Sequence, residues 1–496
     1  MVGSAVRWRA GSLVTGKLVA LARTVALAHM LSPTEFGLYA LALVPVDLLI
    51  GMTETGAVHA LVQRDRPTAR ECDVAWTIGL LRGAGIFALL WAAGPWIALM
   101  LGEANVTPMI RMLAFRPLIT AAGSIRVAEL ERELRYRPLA MVDLLVTAGT
   151  TIPMLVLAPS LGAWALVWGS LVGAAAGSMA SYVVAPRRPA VVLARSEAGS
   201  LLRFGRWILA GGLLAIAGES IVRLLIGREL GTSALGRFSL AAGLASAPGG
   251  IVGAVVGAVA FSLHSRSQRD DARARELFRG ALLSMSAVLL PVYAMLILLA
   301  PRLVSTILGP RWIGTETIIQ LLAVVGMLGV VFDSTAPLLQ GRGAPRSVTL
   351  LHAAFALGTL ALVVPLSRWN GLEGAALARV LVEMFLCVAC LLLAARVLRR
   401  PLTRMLVPSV AIVLSTALTG ALAAWVGHSA RNGLEVLAGA VASLLAGGGM
   451  LWALDRRLDL GFSTLLSSFA SLPPSRVDQR AAVDFIDADA RTDDTP

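Results

Sequence analysis

Long apolar blocks separated by short polar segments run the length of the chain. Each block is about 20 residues long, the length of a helix that crosses the roughly 30 Å hydrocarbon core of a bilayer. The pattern predicts an all-α integral membrane protein with about fourteen transmembrane helices, since helices satisfy their own backbone hydrogen bonds in lipid. The predicted spans lie near residues 10–30, 38–62, 75–100, 107–128, 139–158, 162–184, 207–227, 237–263, 280–300, 316–340, 347–366, 374–395, 405–427 and 434–453.

Composition agrees with a membrane location. Of 496 residues, 57% are hydrophobic and only 15% are charged, and the mean hydropathy is +0.77. A soluble fold of this composition could not cover its own surface with polar groups. The net charge of +13 does not indicate a nucleic-acid partner, because the basic residues concentrate in the short segments between apolar blocks.

Lysine and arginine are concentrated in alternate connections between the blocks. The connections on one side, counted together with both chain ends, hold 29 of these residues, and those on the other side hold five. Short cytoplasmic connections retain basic residues, whereas short translocated connections do not. The count therefore predicts that both termini lie in the cytoplasm, and it favours an even number of crossings.

Two segments of the chain repeat each other. The sequence LSPTEFGLYALA aligns with LGTSALGRFSLA of the second half, which places Gly37 on Gly236. A later match sets Gly162 against Gly374. Six spans separate the copies, and because six is even, the two halves should share one orientation and be related by an axis along the membrane normal.

This duplication predicts four regions. Residues 1–200 and 201–400 would form an N-terminal and a C-terminal lobe of six helices each. Residues 401–455 would add two further transmembrane helices. The segment 456–496 is polar and rich in aspartate, which predicts a disordered cytoplasmic tail.

Ionisable residues within the apolar blocks are the candidates for a transport site. Such a group at the bilayer centre costs roughly 2.5 to 3.5 kcal/mol on insertion scales, so it usually faces a bundle interior or a polar cavity. The basic candidates are Lys17, Arg23, Arg82, Arg116, Arg223 and Arg379. The acidic candidates are Asp47, Glu54 and Asp333.

Helical spacing groups several of these residues, while Lys17 points away from its neighbours. The residues predicted to share a face are Ser12, Gly16 and Arg23 in the first span and Asp47, Gly51 and Glu54 in the second. The pairs at i, i+4 spacing are Glu219 with Arg223 and Arg379 with Glu383. The charges favour a cationic cavity between the lobes for an anionic head group. For any single residue, an internal ion pair or a side chain extended to the interface stays an alternative.

The sequence predicts neither a cofactor nor a metal site. The five histidines lack metal-ligand spacing, and no Walker P-loop is present. A membrane enzyme acting on a lipid-linked sugar would need catalytic acids in an interfacial loop. The one candidate loop, with Glu129, Glu131 and Glu133, is better explained as an exposed charged connection, so no enzymatic activity is predicted.

Three phrases carry a family resemblance: LSPTEFGLYALALVPVDLL followed by TETGAVHALVQRD, LGPRWIGTETIIQLLAVVGML, and GLEGAALARVLVE. With them the chain resembles the Wzx-like polysaccharide flippases of the multidrug/oligosaccharidyl-lipid/polysaccharide exporter superfamily. The resemblance covers spans one to twelve. It implies two six-helix lobes, alternating access, and a location in the bacterial inner membrane.

The resemblance also implies the substrate, an oligosaccharide on undecaprenyl diphosphate that is turned from the cytoplasmic to the periplasmic leaflet. Arg23, Arg116, Arg223 and Arg379 become the candidates for contacts with the diphosphate and acidic sugars, and the acidic candidates for coupling to a proton or sodium gradient. A polysaccharide polymerase and a chain-length regulator are the expected partners. A lipid II flippase of peptidoglycan synthesis is the closest alternative, followed by a drug/cation antiporter.

Overall fold

Helices joined by short turns make up the described part of the chain. The computed structural model describes residues 2–53, 68–132, 135–185, 189–192, 206–266, 271–398, 406–430 and 432–458. Within these ranges no strand occurs. The α-helices are α1 (Val2–Met30), α2 (Pro33–Met52), α3 (Ala69–Leu101), α4 (Thr107–Leu113), α5 (Phe115–Ala121), α6 (Val127–Arg132), α7 (Tyr136–Leu161), α8 (Ala163–Val184), α9 (Arg206–Arg266), α10 (Asp271–Arg302), α11 (Glu316–Gly341), α12 (Pro345–Leu398), α13 (Leu406–Ser429) and α14 (Gly433–Leu458).

Ten helices in the described ranges are long and apolar enough to cross a membrane. The prediction of an all-helical protein with many membrane spans is therefore confirmed. The helix α12 counts once among the ten, although its backbone leaves the helical conformation at Asn370 and Gly371. The number fourteen and the division into four regions stay predictions. Residues 459–496 of the predicted tail lie outside the described residues, as does the candidate Glu54.

The predicted span 107–128 is interrupted. It contains the short helices α4 and α5, which meet at Ala114, and residues 122–126 are not helical. Pro117 contributes to the interruption, since a proline has no N–H to donate to the carbonyl four residues earlier, here that of Leu113.

The start of α2 is fixed by a capping box. The hydroxyl of Ser32 accepts a hydrogen bond from the backbone N–H of Glu35, and the Glu35 carboxylate accepts one from the backbone N–H of Ser32. Two of the N–H groups that a helix start leaves unpaired are thereby satisfied. Pro33 follows at the first helical position, where its fixed φ suits the helix. The helix therefore begins five residues before the predicted start of the second span, at residue 38.

Glycines with positive φ divide the long helices. The helix α9 breaks at Gly231 (φ 85°), which separates residues 206–230, here α9a, from residues 232–266, here α9b. Gly371 in α12 and Gly162 before α8 have nearly the same backbone angles, with φ 54° in both and ψ of −136° and −129°. Gly162 of the first half therefore corresponds to Gly371 of the second half and not to Gly374, three residues later. The shared turn conformation identifies the equivalent position, whereas the alanines that follow each glycine do not.

The two halves meet where α2 crosses α9b. A Cβ atom built on Gly37 would collide with the carbonyl oxygen of Thr232, and one built on Gly236 would collide with that of Pro33. Pro33 and Thr232 occupy the same places in the two repeats, so the contact is symmetric. We call it the glycine crossing (Gly37 with Gly236). Only residues without side chains permit two helix backbones to approach this closely.

A buried tryptophan covers the same end of the bundle. Trp312, in a short helix between α10 and α11, is fully buried and donates a hydrogen bond from Nε1 to the carbonyl oxygen of Ala28, at 2.8 Å. Its ring meets the Phe36 ring edge to face, with 5.2 Å between centroids. The connection between α10 and α11 therefore packs on the turn between α1 and α2, in the other half of the chain. We refer to this end of the bundle as the crossing end.

Candidate functional site

Three predicted arginines line one cavity. It measures about 850 Å³ and is bordered by Arg23 on α1, Arg82 on α3 and Arg116 on α5. Seven hydroxyl side chains also border it: Tyr39, Thr120, Ser124, Thr150, Ser170, Ser178 and Ser181. The sequence predicts a cationic cavity between the lobes, and this cavity instead lies within the first half of the chain, since all of its lining residues precede α9.

The face predicted for the first span is confirmed, because its residues all contact α7. Lys17 is directed away from them, as predicted, and its ammonium group lies near Gly250 in α9b. The contacts with α7 are Ser12 Oγ to Asp143 Oδ2 at 3.3 Å, Gly16 beside Thr147, and Arg23 Nη1 to Thr151 Oγ1 at 3.3 Å.

Arg82 fixes the end of α2. Its Nε donates to the Thr53 hydroxyl at 3.0 Å, and its Nη2 donates to the carbonyl oxygen of Ile50. The last carbonyls of a helix lack partners within the helix and carry partial negative charge, so a guanidinium there is stabilising. Arg82 thus lines the cavity and holds the end of a helix that crosses to the other half.

Asp47 joins two predicted arginines from different halves. Its Oδ2 lies 3.1 Å from Nη1 of Arg223 on α9a, and its Oδ1 lies 3.8 Å from Nη1 of Arg116 on α5. We call this group the Asp47 bridge (Asp47, Arg116 and Arg223). Gly51, one turn further along α2, packs against Ile216 of α9a, so the common face predicted for Asp47 and Gly51 is confirmed.

Arg379 forms a second ion pair, entirely in the second half. Its Nη2 donates to Glu219 Oε1 at 3.0 Å, and the guanidinium lies 4.4 Å from the centroid of the Phe355 ring. Only 10% of the Arg379 side chain is exposed. Asp333 lies on α11 with an exposed side chain.

The prediction that Glu219 pairs with Arg223, and Arg379 with Glu383, within single helices is wrong, because the observed ion pairs join different helices. Glu219 is held by Arg379 and Arg223 by Asp47, in both cases between helices. An intrahelical pair at this spacing contributes only about 0.2 to 0.5 kcal/mol, so a better placed partner on a neighbouring helix prevails. Single-sequence spacing contains no information about that neighbour.

Sequence reasoning missed the polar aromatic residues of the cavity, Tyr39 and Trp76, and its serine and threonine side chains. Tyr39 borders the cavity together with Ser170, and Trp76 Nε1 donates to the carbonyl oxygen of Gly123 at 3.1 Å. A polar aromatic within an apolar block would have been a usable signal, because buried Tyr and Trp usually find a hydrogen-bond partner. In the described part of the chain, no cluster of three or more His, Cys, Asp or Glu side chains is arranged to hold a metal ion.

The sequence matches a family of known proteins over more than half its length. A family model described as "Polysaccharide biosynthesis protein" matches residues 26–316, which include both the glycine crossing and the Asp47 bridge. The chain belongs to this family.

The curated relatives are likewise biosynthesis proteins for cell-surface or secreted polymers by name. The chain is 23% identical over 344 residues to the teichuronic acid biosynthesis protein TuaB of Bacillus subtilis, an alignment that covers 68% of this chain and 71% of TuaB. It is 22% identical to the lipopolysaccharide biosynthesis protein WzxC of Escherichia coli, over 68% of this chain and 70% of WzxC. It is 25% identical to the succinoglycan biosynthesis transport protein ExoT of Rhizobium meliloti, over 64% of each chain.

Solved structures show the same fold. The lipid II flippase MurJ in an inward closed conformation matches with a TM-score of 0.72 and 13% identity, over 90% of this chain and 98% of MurJ. An inward-facing multidrug resistance MATE family transporter of the MOP superfamily matches with a TM-score of 0.58 and 16% identity, over 77% of this chain and 94% of the transporter. These comparisons confirm the predicted Wzx-like resemblance: the chain belongs to a polysaccharide biosynthesis family, has WzxC and ExoT among its relatives, and shares the fold of MurJ and of a MATE transporter. ExoT and MurJ are named as a transport protein and a flippase and not as enzymes, as the sequence predicts for this chain.

Proposed function

We propose that the protein is a flippase that carries an undecaprenyl-diphosphate-linked oligosaccharide from the cytoplasmic to the periplasmic leaflet, for O-antigen, capsule or exopolysaccharide synthesis. The observation that carries the proposal is the 850 Å³ cavity bordered by three arginines and a set of hydroxyl side chains. Arginine pairs bidentately with phosphate oxygens, and hydroxyls provide the hydrogen bonds that sugars require. The names of WzxC, ExoT and TuaB, all polysaccharide or teichuronic acid biosynthesis proteins, support the substrate class.

The transport step follows from solubility. A glycan head group cannot enter hydrocarbon, so it travels within the polar cavity while its polyprenyl tail stays in lipid. The uneven distribution of Lys and Arg supports cytoplasmic termini, which would put the crossing end at the periplasmic side. At that end the halves contact each other through the glycine crossing and Trp312, so we expect the head group to enter from the cytoplasmic side. A rocking motion of the halves would then open the crossing end.

The remaining assignments complete the proposal. Arg23, Arg82 and Arg116 would contact the head group in the cavity, and Arg223 would do so at the Asp47 bridge. Lys17 and Arg379 are further candidates, and Asp47, Glu54 and Asp333 are the candidates for gradient coupling. A polymerase and a chain-length regulator would take the product at the periplasmic face.

The proposal is tested by deleting the gene and labelling lipid-linked intermediates. We expect an undecaprenyl-linked oligosaccharide to accumulate on the cytoplasmic leaflet, and plasmid-borne protein to restore export. Replacing Arg23 with Ala should abolish that rescue at an unchanged protein level in the membrane. Unchanged intermediates together with altered drug tolerance would sink the proposal and favour an antiporter.

A lipid II flippase is the second candidate, because the MurJ fold matches over nearly the whole chain. The same labelling separates the two: accumulation of lipid II and arrested cell-wall synthesis would identify this function, whereas loss of a surface polymer in viable cells would exclude it.

A further inference from the structure

The Asp47 bridge contains more positive than negative charge. One carboxylate is shared by two guanidinium groups, so the group has a net charge of +1. The contact with Arg223, at 3.1 Å, is a hydrogen-bonded ion pair, whereas the one with Arg116, at 3.8 Å, is too long for a hydrogen bond. Within the described residues no other acidic group lies within 4 Å of Arg116. Among the described residues, its guanidinium therefore has no carboxylate at hydrogen-bond distance.

The bridge is also open to exchange. The side chains of Arg116, Asp47 and Arg223 are 39%, 31% and 31% exposed, and Arg116 borders the 850 Å³ cavity. An anion in that cavity can therefore reach Arg116, the member of the bridge that borders it. The Arg379–Glu219 pair differs, because only 10% of the Arg379 side chain is exposed and the guanidinium lies over the Phe355 ring. Of these two ion pairs, the Asp47 bridge is the one an anion could enter.

A pyrophosphate group matches the missing charge. It has at least two negative charges and several acceptor oxygens, so it can pair with both guanidiniums at once, which the single carboxylate does not do at hydrogen-bond distance. Because Arg116 and Arg223 belong to different halves, such an anion would keep the halves joined after the carboxylate leaves. We propose that Asp47 is an internal counter-ion that the pyrophosphate group of the substrate displaces from Arg116 and Arg223. This assignment rests on the proposed function for the nature of the anion.

Displacement makes Asp47 a competitor of the ligand, which predicts an unusual gain of affinity. We would titrate inorganic pyrophosphate into the purified full chain in nanodiscs of neutral lipid, and measure binding by calorimetry. Asp47→Asn should bind pyrophosphate about tenfold more tightly than the unsubstituted protein, a gain of about 1.4 kcal/mol in binding free energy, because the anion no longer competes with a carboxylate. Arg223→Gln and Arg116→Gln should each weaken binding by a similar factor.

A matched control separates competition from a general change of charge. Glu229→Gln also removes a carboxylate that accepts from an arginine, Arg368, but this pair lies apart from the cavity. We expect its affinity to equal that of the unsubstituted protein. An equal gain in Glu229→Gln and Asp47→Asn, or no gain in Asp47→Asn, would overturn the proposal.

Two further measurements keep the outcome decisive. If Asp47→Asn does not fold, Arg116→Gln still tests the assignment, since among the described residues its partly exposed side chain has only the long ion pair to lose. Unchanged binding in that variant would count against the displacement model. Flipping of a lipid-linked oligosaccharide by vesicles containing the unsubstituted protein tests the proposed function separately: flipping without the Asp47 effect overturns only this inference, and the Asp47 effect without flipping overturns only the proposed function.

Discussion

Two of the contacts between the halves, the glycine crossing and the Asp47 bridge, differ in physical character. At the glycine crossing, two helix backbones are in direct contact, and the surrounding cluster includes the fully buried Leu41 and Trp312. At the Asp47 bridge, the contact consists of three charged side chains, each about one-third exposed. Close packing is lost all at once when backbones separate, whereas a solvated ion pair exchanges partners at little cost. We expect the crossing to determine stability and the bridge to determine the response to an anion.

Removal of Trp312 should have the largest effect on stability. Trp312→Ala leaves a cavity in the packed end and an unpaired carbonyl at Ala28, at a cost of about 3 to 5 kcal/mol for a buried tryptophan. Unfolding of the purified protein in detergent would measure the loss. Trp96→Ala is the control, because Trp96 is 68% exposed on α3 and should cost much less. Equal losses in the two variants would contradict the importance of the crossing end.

Addition of one methyl group at the glycine crossing should cause the second-largest loss of stability. Gly236→Ala forces its Cβ onto the carbonyl oxygen of Pro33, so the helices must separate, at a cost of about 1 to 3 kcal/mol. Gly243→Ala lies on the same helix with nothing within 4 Å of its Cβ. It should be neutral or slightly stabilising, since alanine is the better helix former. A lower melting temperature in Gly236→Ala alone is the expected result.

The sequence predicted well what depends on periodicity. Helical spacing correctly grouped Ser12, Gly16 and Arg23, and the repeat correctly aligned Gly37 with Gly236, the two residues that meet at the crossing. These features follow from the 3.6-residue turn and from the need for small residues where backbones touch.

What depends on a neighbouring helix could not be predicted from spacing. Glu219 and Arg223 are one turn apart, yet each pairs with another helix. The location of the cavity within the first half depends equally on how α1, α5 and α7 lie relative to one another, which hydropathy does not encode. The interruption of span 107–128 was foreseeable in principle from Pro117.

At the Asp47 bridge we expect loss of transport with little loss of stability. Arg223→Gln removes one ion pair whose side chains are partly exposed, so unfolding should change by less than about 1 kcal/mol. Polymer export should nevertheless fall by about tenfold, because the removed group is a proposed phosphate ligand. Export assays at matched membrane protein levels would show the separation. A loss of stability as large as that of Gly236→Ala would contradict the comparison.

The smallest change in stability should follow the loss of the exposed ion pair between Glu229 and Arg368 at the crossing end. Arg368 Nε donates to Glu229 Oε2 at 3.0 Å, and this hydrogen bond lowers the pKa of Glu229. The stabilisation is therefore complete above the ordinary pKa of about 4.5 and is lost as the pH falls through the lowered value. At pH 7, the melting temperature of Glu229→Gln should lie close to that of the unsubstituted protein. Any difference between the two melting temperatures should vanish in high salt or strong acid, because both groups face solvent. A difference that survives 1 M salt (~3 Å screening length) would mean that this pair is shielded from water, and that the crossing end depends on charge as well as on packing.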